Sequence, residues 1–141
     1  MTIPFWFEEQ LENHLGRAVR IACTARVHER QSAFQKIEVF DTIPFGRMLV
    51  HDGAIMLTEF DEAHYHEMIS HVPLNVHPDP RDVLIIGGGD GGTVREVLRH
   101  PSVRHVDLCE IDREVVEVAQ AYFPDLAQGL RDPRVHHRYE D

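Results

Sequence analysis

Basic side chains are in short supply: 14 Lys and Arg stand against 24 Asp and Glu, for a formal net charge of −10. That balance argues against a general nucleic-acid binder and is compatible with cationic small molecules. Cysteine is nearly missing. Cys23 and Cys109 lie far apart in no metal-like spacing, which excludes a disulfide scaffold and fits a reduced, cytoplasmic protein. A cationic leader and a long apolar run are also lacking, since Glu8, Glu9 and Glu12 interrupt the first residues. Neither secretion nor a membrane span is expected. Repeats and low-complexity tracts are absent from the 141 residues, and the 43% hydrophobic content places the chain among globular proteins with one modest core.

What is present points to an α/β fold in two parts. Residues 1–60 read as a small β-strand domain, with strands at Val19 to Ala25, Phe34 to Phe40, Arg47 to His51 and Ala54 to Thr58 and a hairpin turn at Asp52-Gly53. Residues 61–80 read as a helix from Asp61 to about Val76, bent at Pro73, and a linker, His77-Pro78-Asp79-Pro80. Residues 81–141 read as the first half of a Rossmann-like, methyltransferase-type doubly wound parallel sheet. Its strands are Asp82 to Ile86, Val106 to Glu110 and Val135 to Tyr139, and its helices Gly92 to His100 and Arg113 to Phe123. The first strand, apolar without alternation, suits the middle of a sheet covered on both faces, but with three strands available it is expected to stand as an apolar edge.

Between that strand and the next helix stands Gly87-Gly88-Gly89-Asp90-Gly91-Gly92, which fits G-x-G-x-x-G. Such a turn lets backbone approach a nucleotide and presents amides that suit phosphates or carboxylates. Asp90 is the wrong sign for either. Three nucleoside ligands use such a site: a nicotinamide or flavin dinucleotide, S-adenosylmethionine, and decarboxylated S-adenosylmethionine, whose tail is a bare aminopropyl ammonium. Only the last places no anion near the loop. A unit-charge contact at 4 Å is worth about 4 kcal/mol before desolvation at an effective dielectric near 20, so its sign discriminates strongly. Asp90 equally suits capping the helix that begins at Gly91 or Gly92. Glu110, at the end of the second parallel strand, stands where an acid grips a ribose diol.

Further upstream come Gly46-Arg47-Met48-Leu49-Val50-His51-Asp52-Gly53, Thr58-Glu59-Phe60-Asp61-Glu62, Tyr65-His66-Glu67-Met68 and His71-Val72-Pro73. In this order, and with the aspartate-bearing loop, they resemble the spermidine synthase (polyamine aminopropyltransferase) family from near Trp6-Phe7 to the last residue. The family moves an aminopropyl group from decarboxylated S-adenosylmethionine to putrescine, giving spermidine and methylthioadenosine. By resemblance, Gln35 contacts the methylthioadenosine part, Glu110 the ribose hydroxyls and Asp141 the adenine, with Gly87, Gly88 and Gly89 in the donor loop. Asp90 and His66 correspond to aminopropyl or polyamine contacts, Tyr65 shares the Tyr-His-Glu motif, and Trp6 resembles an aromatic bordering the diamine. The resemblance implies no metal and no cofactor beyond the co-substrate, and a homo-oligomer.

Blander readings accompany each residue. Gln35 alternates with Ile37 and Val39 as an exposed strand residue would, Glu110 suits a solvated strand end, and Tyr65 suits a core aromatic. Met56 stands where many members carry glutamine, which bears on acceptor choice. The family's proton-accepting aspartate lies on a downstream loop, so no catalytic base is assigned within these residues. The chain is therefore expected to be truncated, cleaved or split, with a complementary C-terminal fragment restoring the fold. The alternatives are an S-adenosylmethionine-dependent methyltransferase and a non-catalytic binding or assembly fragment. The 11 histidines invite a metal reading, but His66 and His71 miss the i, i+4 spacing and His136-His137 diverge in a strand.

Overall fold

The computed structural model describes residues 4–11 and 13–141. The chain forms two compact units, Met1–Glu62 and Ala63–Asp141. The first carries an antiparallel five-stranded sheet in the order β1-β2-β3-β4-β5: β1 (Phe5–Glu8), β2 (Arg20–Gln31), β3 (Lys36–Thr42), β4 (Arg47–His51) and β5 (Ala54–Thr58). Its core gathers Ile21, Cys23, Phe40, Met48 and Val50, with Phe7, Phe45 and Ile55 packed against them. Asp52 and Gly53 join β4 to β5 with φ of 48° and 79°, the left-handed pair that a two-residue hairpin of this twist requires.

β4 and β5 fall where the sequence predicts them, because apolar residues between turn signals are a local pattern. β1 is not legible that way. Its four residues are held by pairing Phe5 to Glu8 with Cys23 to Arg20, and by Phe7 against Phe40 at 5.1 Å between ring centroids. β2 runs on to Gln31, well past the predicted end, since its second half is polar and pairs through charge. Arg26 meets Glu38 at 3.0 Å and Lys36 meets Glu29 at 3.1 Å across the β2–β3 ladder. β3 starts two residues later than predicted. The Ser32 hydroxyl accepts from the N–H groups of Phe34 and Gln35, both at 3.0 Å, which holds Gln35 in a turn rather than in the strand.

In the second unit, α1 (Glu62–Val76) runs through Pro73 and precedes a three-stranded parallel sheet ordered β6-β7-β8. The strands are β6 (Asp82–Ile86), β7 (His105–Cys109) and β8 (Val135–Arg138), with α2 (Gly92–Leu98) and α3 (Arg113–Tyr122) in the crossovers. β7 and β8 thus end one residue before their predicted ends, and both helices stop short of theirs. Beyond α2, the N–H groups of Arg99 and His100 reach back to Glu96 and Val97, and Pro101 follows. A 3-10 turn at Ala127–Arg131 closes over α2. The core joins Ile85, Val94, Val97, Val106, Leu108, Val116, Ala119 and Leu130.

β6 stands as the apolar edge that a sheet of three available strands leaves. Ile85 is buried, whereas Leu84 and Ile86 are 61% and 83% exposed, because β6 is an edge strand with one face on the core. Among the described residues, no helix is long and apolar enough to cross a membrane.

Candidate functional site

The turn after β6 is built from backbone conformations that favour glycine: Gly87, Gly88 and Gly91 all have positive φ. Gly91 is the residue before α2, at φ 91°, and a Cβ there would lie 2.9 Å from Leu130 and 3.0 Å from the Ala127 backbone. Side-chain-free backbone is thus required both by torsion and by the 3-10 turn behind it. Gly87 N–H donates to Cys109 O at 2.7 Å, which ties the start of the loop to the end of β7.

Two carboxylates reach into this loop. Glu110, 7% exposed, accepts from Gly89 N–H at 2.9 Å through Oε2 and from Asp112 N–H at 3.0 Å through Oε1. It is buried and bonded to backbone, so the solvated strand-end reading does not hold. Asp112, 2% exposed, caps α3 by accepting from Glu114 N–H at 3.0 Å. The sequence signal for this cap was an aspartate immediately before a helical run.

Asp90 Oδ1 accepts from Gly92 N–H at 2.7 Å and lies 3.3 Å from His66 Nε2. The N-cap position of α2 is Gly91, so Asp90 stands one residue before it, accepting from the first N–H of the helix while facing a histidine from α1. Burial pushes its pKa up, but the His66 hydrogen bond and charge, with backbone N–H groups of Gly92 and Asp90, outweigh burial and hold it below the ordinary carboxylate range. It is held as an anion.

His66 itself is 3% exposed and is wedged under Gly92. The Tyr65 ring meets it edge-on at 5.2 Å, but Tyr65 is 63% exposed, which corrects the core-aromatic reading. Gly89, Glu110, Asp90 and His66 are thus joined around one loop of the second unit. Asp141 follows β8 and is exposed. Gln35, half-buried in its turn, and Trp6, exposed on β1, belong to the first unit. The remaining histidines pack elsewhere: His136 stacks on His105 with centroids 4.4 Å apart, while His137 Nε2 lies 2.7 Å from Leu130 O.

A depressed carboxylate has a definite acid signature. Its native-state pKa lies below its unfolded value, so its stabilisation is complete above about pH 4 and is lost as pH falls through the native value. Folding stability is expected to fall on acidification below about pH 4, with Asp90→Asn flattening part of that slope in denaturant titrations. An unchanged slope in the variant would remove the His66–Asp90 pairing from the native state.

Two family descriptions cover the chain: the spermidine synthase tetramerisation domain matches residues 5–59, and the spermine/spermidine synthase domain matches residues 62–141. A polyamine aminopropyltransferase of Leptospira biflexa is 54% identical over 139 residues, covering 99% of this chain and 50% of the relative. One of Bacillus mycoides is 48% identical with the same coverage. Spermidine synthase from Thermotoga maritima superposes with a TM-score of 0.94 at 39% identity, over 100% of this chain and 51% of that one. A spermidine synthase in complex with the transition-state analogue AdoDATO gives 0.94 at 39% identity, over 99% and 48%. The chain spans about half the length of the curated relatives it matches. With both domain descriptions matched and close relatives along its whole length, the chain belongs to the spermine/spermidine synthase family.

Proposed function

We propose that this chain forms the donor-nucleoside part of a polyamine aminopropyltransferase, acting in polyamine biosynthesis. The protein would move the aminopropyl group of decarboxylated S-adenosylmethionine to putrescine, giving spermidine and methylthioadenosine. The observation that carries this reading is the ionised Asp90 inside the glycine turn. Its carboxylate occupies the Gly92 N–H, and Glu110 occupies the Gly89 N–H, so an incoming anion meets two acids at the amides it would need. An ammonium meets a ready counter-charge. This opposes the methyltransferase alternative, whose donor brings a carboxylate to the same region.

In this reading Asp90 orients the aminopropyl ammonium, and Glu110 holds the ribose hydroxyls beside Gly87, Gly88 and Gly89. Gln35 and Asp141 serve the methylthioadenosine and adenine parts. His66, Tyr65 and Trp6 serve the polyamine end. One amine of putrescine gives up a proton, and its lone pair attacks the carbon beside the sulfonium. The carbon–sulfur bond breaks, its electron pair going to sulfur to leave a neutral thioether. Since the sulfonium is already a good leaving group, the protein mainly supplies orientation and charge. No residue of this chain is assigned to accept the proton. The strands of residues 5–59 are read as the homo-oligomer contact, in keeping with the tetramerisation domain they match.

The test compares binding of decarboxylated S-adenosylmethionine with that of S-adenosylmethionine by calorimetry. At least about tenfold preference for the decarboxylated donor is expected, the worth of one charge-assisted hydrogen bond. Equal or reversed affinity would make the methyltransferase reading the better one.

A further inference from the structure

Beyond the loop, the second unit buries one more acid. Glu96, in the middle of α2, is 2% exposed and is met from three sides. Arg95 Nε and Arg99 Nη1 each lie 2.7 Å from its oxygens, and His71 Nε2 from α1 lies 3.1 Å from Oε2. The other ring nitrogen of His71, Nδ1, is 2.9 Å from His100 Nε2. Burial pushes the Glu96 pKa up, but the two guanidinium groups outweigh burial and keep it below the ordinary range. An ionised Glu96 accepts only, so His71 must donate through Nε2–H. A neutral His71 then accepts at Nδ1, and His100 donates through its own Nε2–H. One buried charge therefore fixes the tautomers of two imidazoles.

The same helix that carries His71 carries His66. α1 meets α2 in parallel register: His66 faces Asp90 and Gly92, the Ser70 hydroxyl lies 3.5 Å from Thr93 O, and His71 reaches Glu96. The contacts that join α1 to α2 are polar. Within this half-length chain Tyr65, Met68, Ile69, Val72 and Val76 of α1 are exposed, its two buried side chains are His66 and Ser70, and Leu74 packs on the core cluster. Hydrophobic burial is non-directional, so the register of α1 on α2 is set by these directional polar contacts. A slip of one turn would displace His66 by about 5.4 Å and separate it from Asp90.

We propose that Glu96 is a positioning residue for Asp90: through His71 it sets the register of α1 on α2, which holds His66 against the carboxylate that receives the ammonium. The ligand part of this inference rests on the aminopropyltransferase reading; the positioning part does not. Glu96 touches no ligand in this scheme.

The test uses His71→Ala, Glu96→Ala and Glu96→Gln with two readouts. Calorimetry gives the affinity ratio of decarboxylated S-adenosylmethionine to methylthioadenosine, which lacks the aminopropyl arm. Nitrogen NMR of the His66 ring reports its contact with Asp90 without any ligand. In both alanine variants the ratio is expected to fall about tenfold, with methylthioadenosine affinity held and the His66 signals shifted. Glu96→Gln still accepts from His71 and is expected to recover most of the ratio. His71→Ala leaves Glu96 with both arginines, so it carries the test if Glu96→Ala fails to fold. Equal loss for both nucleosides with unmoved His66 signals would overturn the proposal as mere loss of structure. If the parent protein shows no preference for the arm, the functional reading fails, and the His66 signals alone decide the positioning: shifted supports it, unmoved overturns it.

Discussion

Replacing Gly92 with alanine is expected to destabilise the second unit by about 3 kcal/mol and to part His66 from Asp90. The added Cβ would lie 2.3 Å from His66 Cε1, 2.4 Å from Nδ1 and 2.6 Å from Cγ, inside contact distance of all three ring atoms. Nothing flexible lies in the way to yield, because the ring is 3% exposed. Overpacking of this kind costs about 1–3 kcal/mol, and a buried imidazole pushed off its acid costs about 1–3 kcal/mol more. Alanine's advantage over glycine within a helix is at most about 1 kcal/mol and does not reverse the sign. Gly87→Ala is the control. Its Cβ meets nothing within 4 Å, so only the φ of +72° is penalised, at about 1–2 kcal/mol. Denaturant unfolding that ranks the two variants equal would mean that the His66 contact under Gly92 is not part of the native fold.

Asp90→Asn is expected to lower affinity for an ammonium-bearing nucleoside about ten- to a hundredfold while leaving methylthioadenosine binding unchanged. The asparagine oxygen can still accept from Gly92 N–H, now at 2.7 Å, so the first N–H of α2 keeps its partner and stability changes by less than about 1 kcal/mol. What the substitution removes is the charge. The full Coulomb term of about 4 kcal/mol shrinks once desolvation is counted, which is why the expected loss is one to two decades rather than three. Calorimetry with the two nucleosides and a denaturant titration separate the outcomes. Marked destabilisation with unchanged affinity would reduce Asp90 to a helix cap.

The parts of this site differ in how far hydropathy and spacing reveal them. The glycine turn, the strand before it and the acid at Glu110 are contiguous or regularly spaced, so their backbone roles are local and legible. β6 is located to the residue, and its standing as an apolar edge follows from the three strands available: an apolar run signals capacity for burial on two faces, and neighbours in space decide whether both are covered. The length of β2 escaped. Its second half is stabilised by Arg26, Glu29, Glu38 and Lys36 across the ladder, and charges that pair between strands leave no apolar alternation.

By itself the sequence determined that a nucleoside-type turn carries a negative charge where an anion would ordinarily dock, and that an acid follows at the end of the next strand. Only the tertiary structure decided that Asp90 both accepts from the first N–H of α2 and faces His66, that Glu110 is buried against the loop's own amide, and that Glu96 gathers His71, Arg95 and Arg99. The reason is the docking of α1. The side chains it buries, His66 and Ser70, are polar and give no periodic apolar signal for the face that meets α2, so the pairing of His66 and His71 with acids distant in sequence is fixed by hydrogen-bond geometry that only the folded chain assembles.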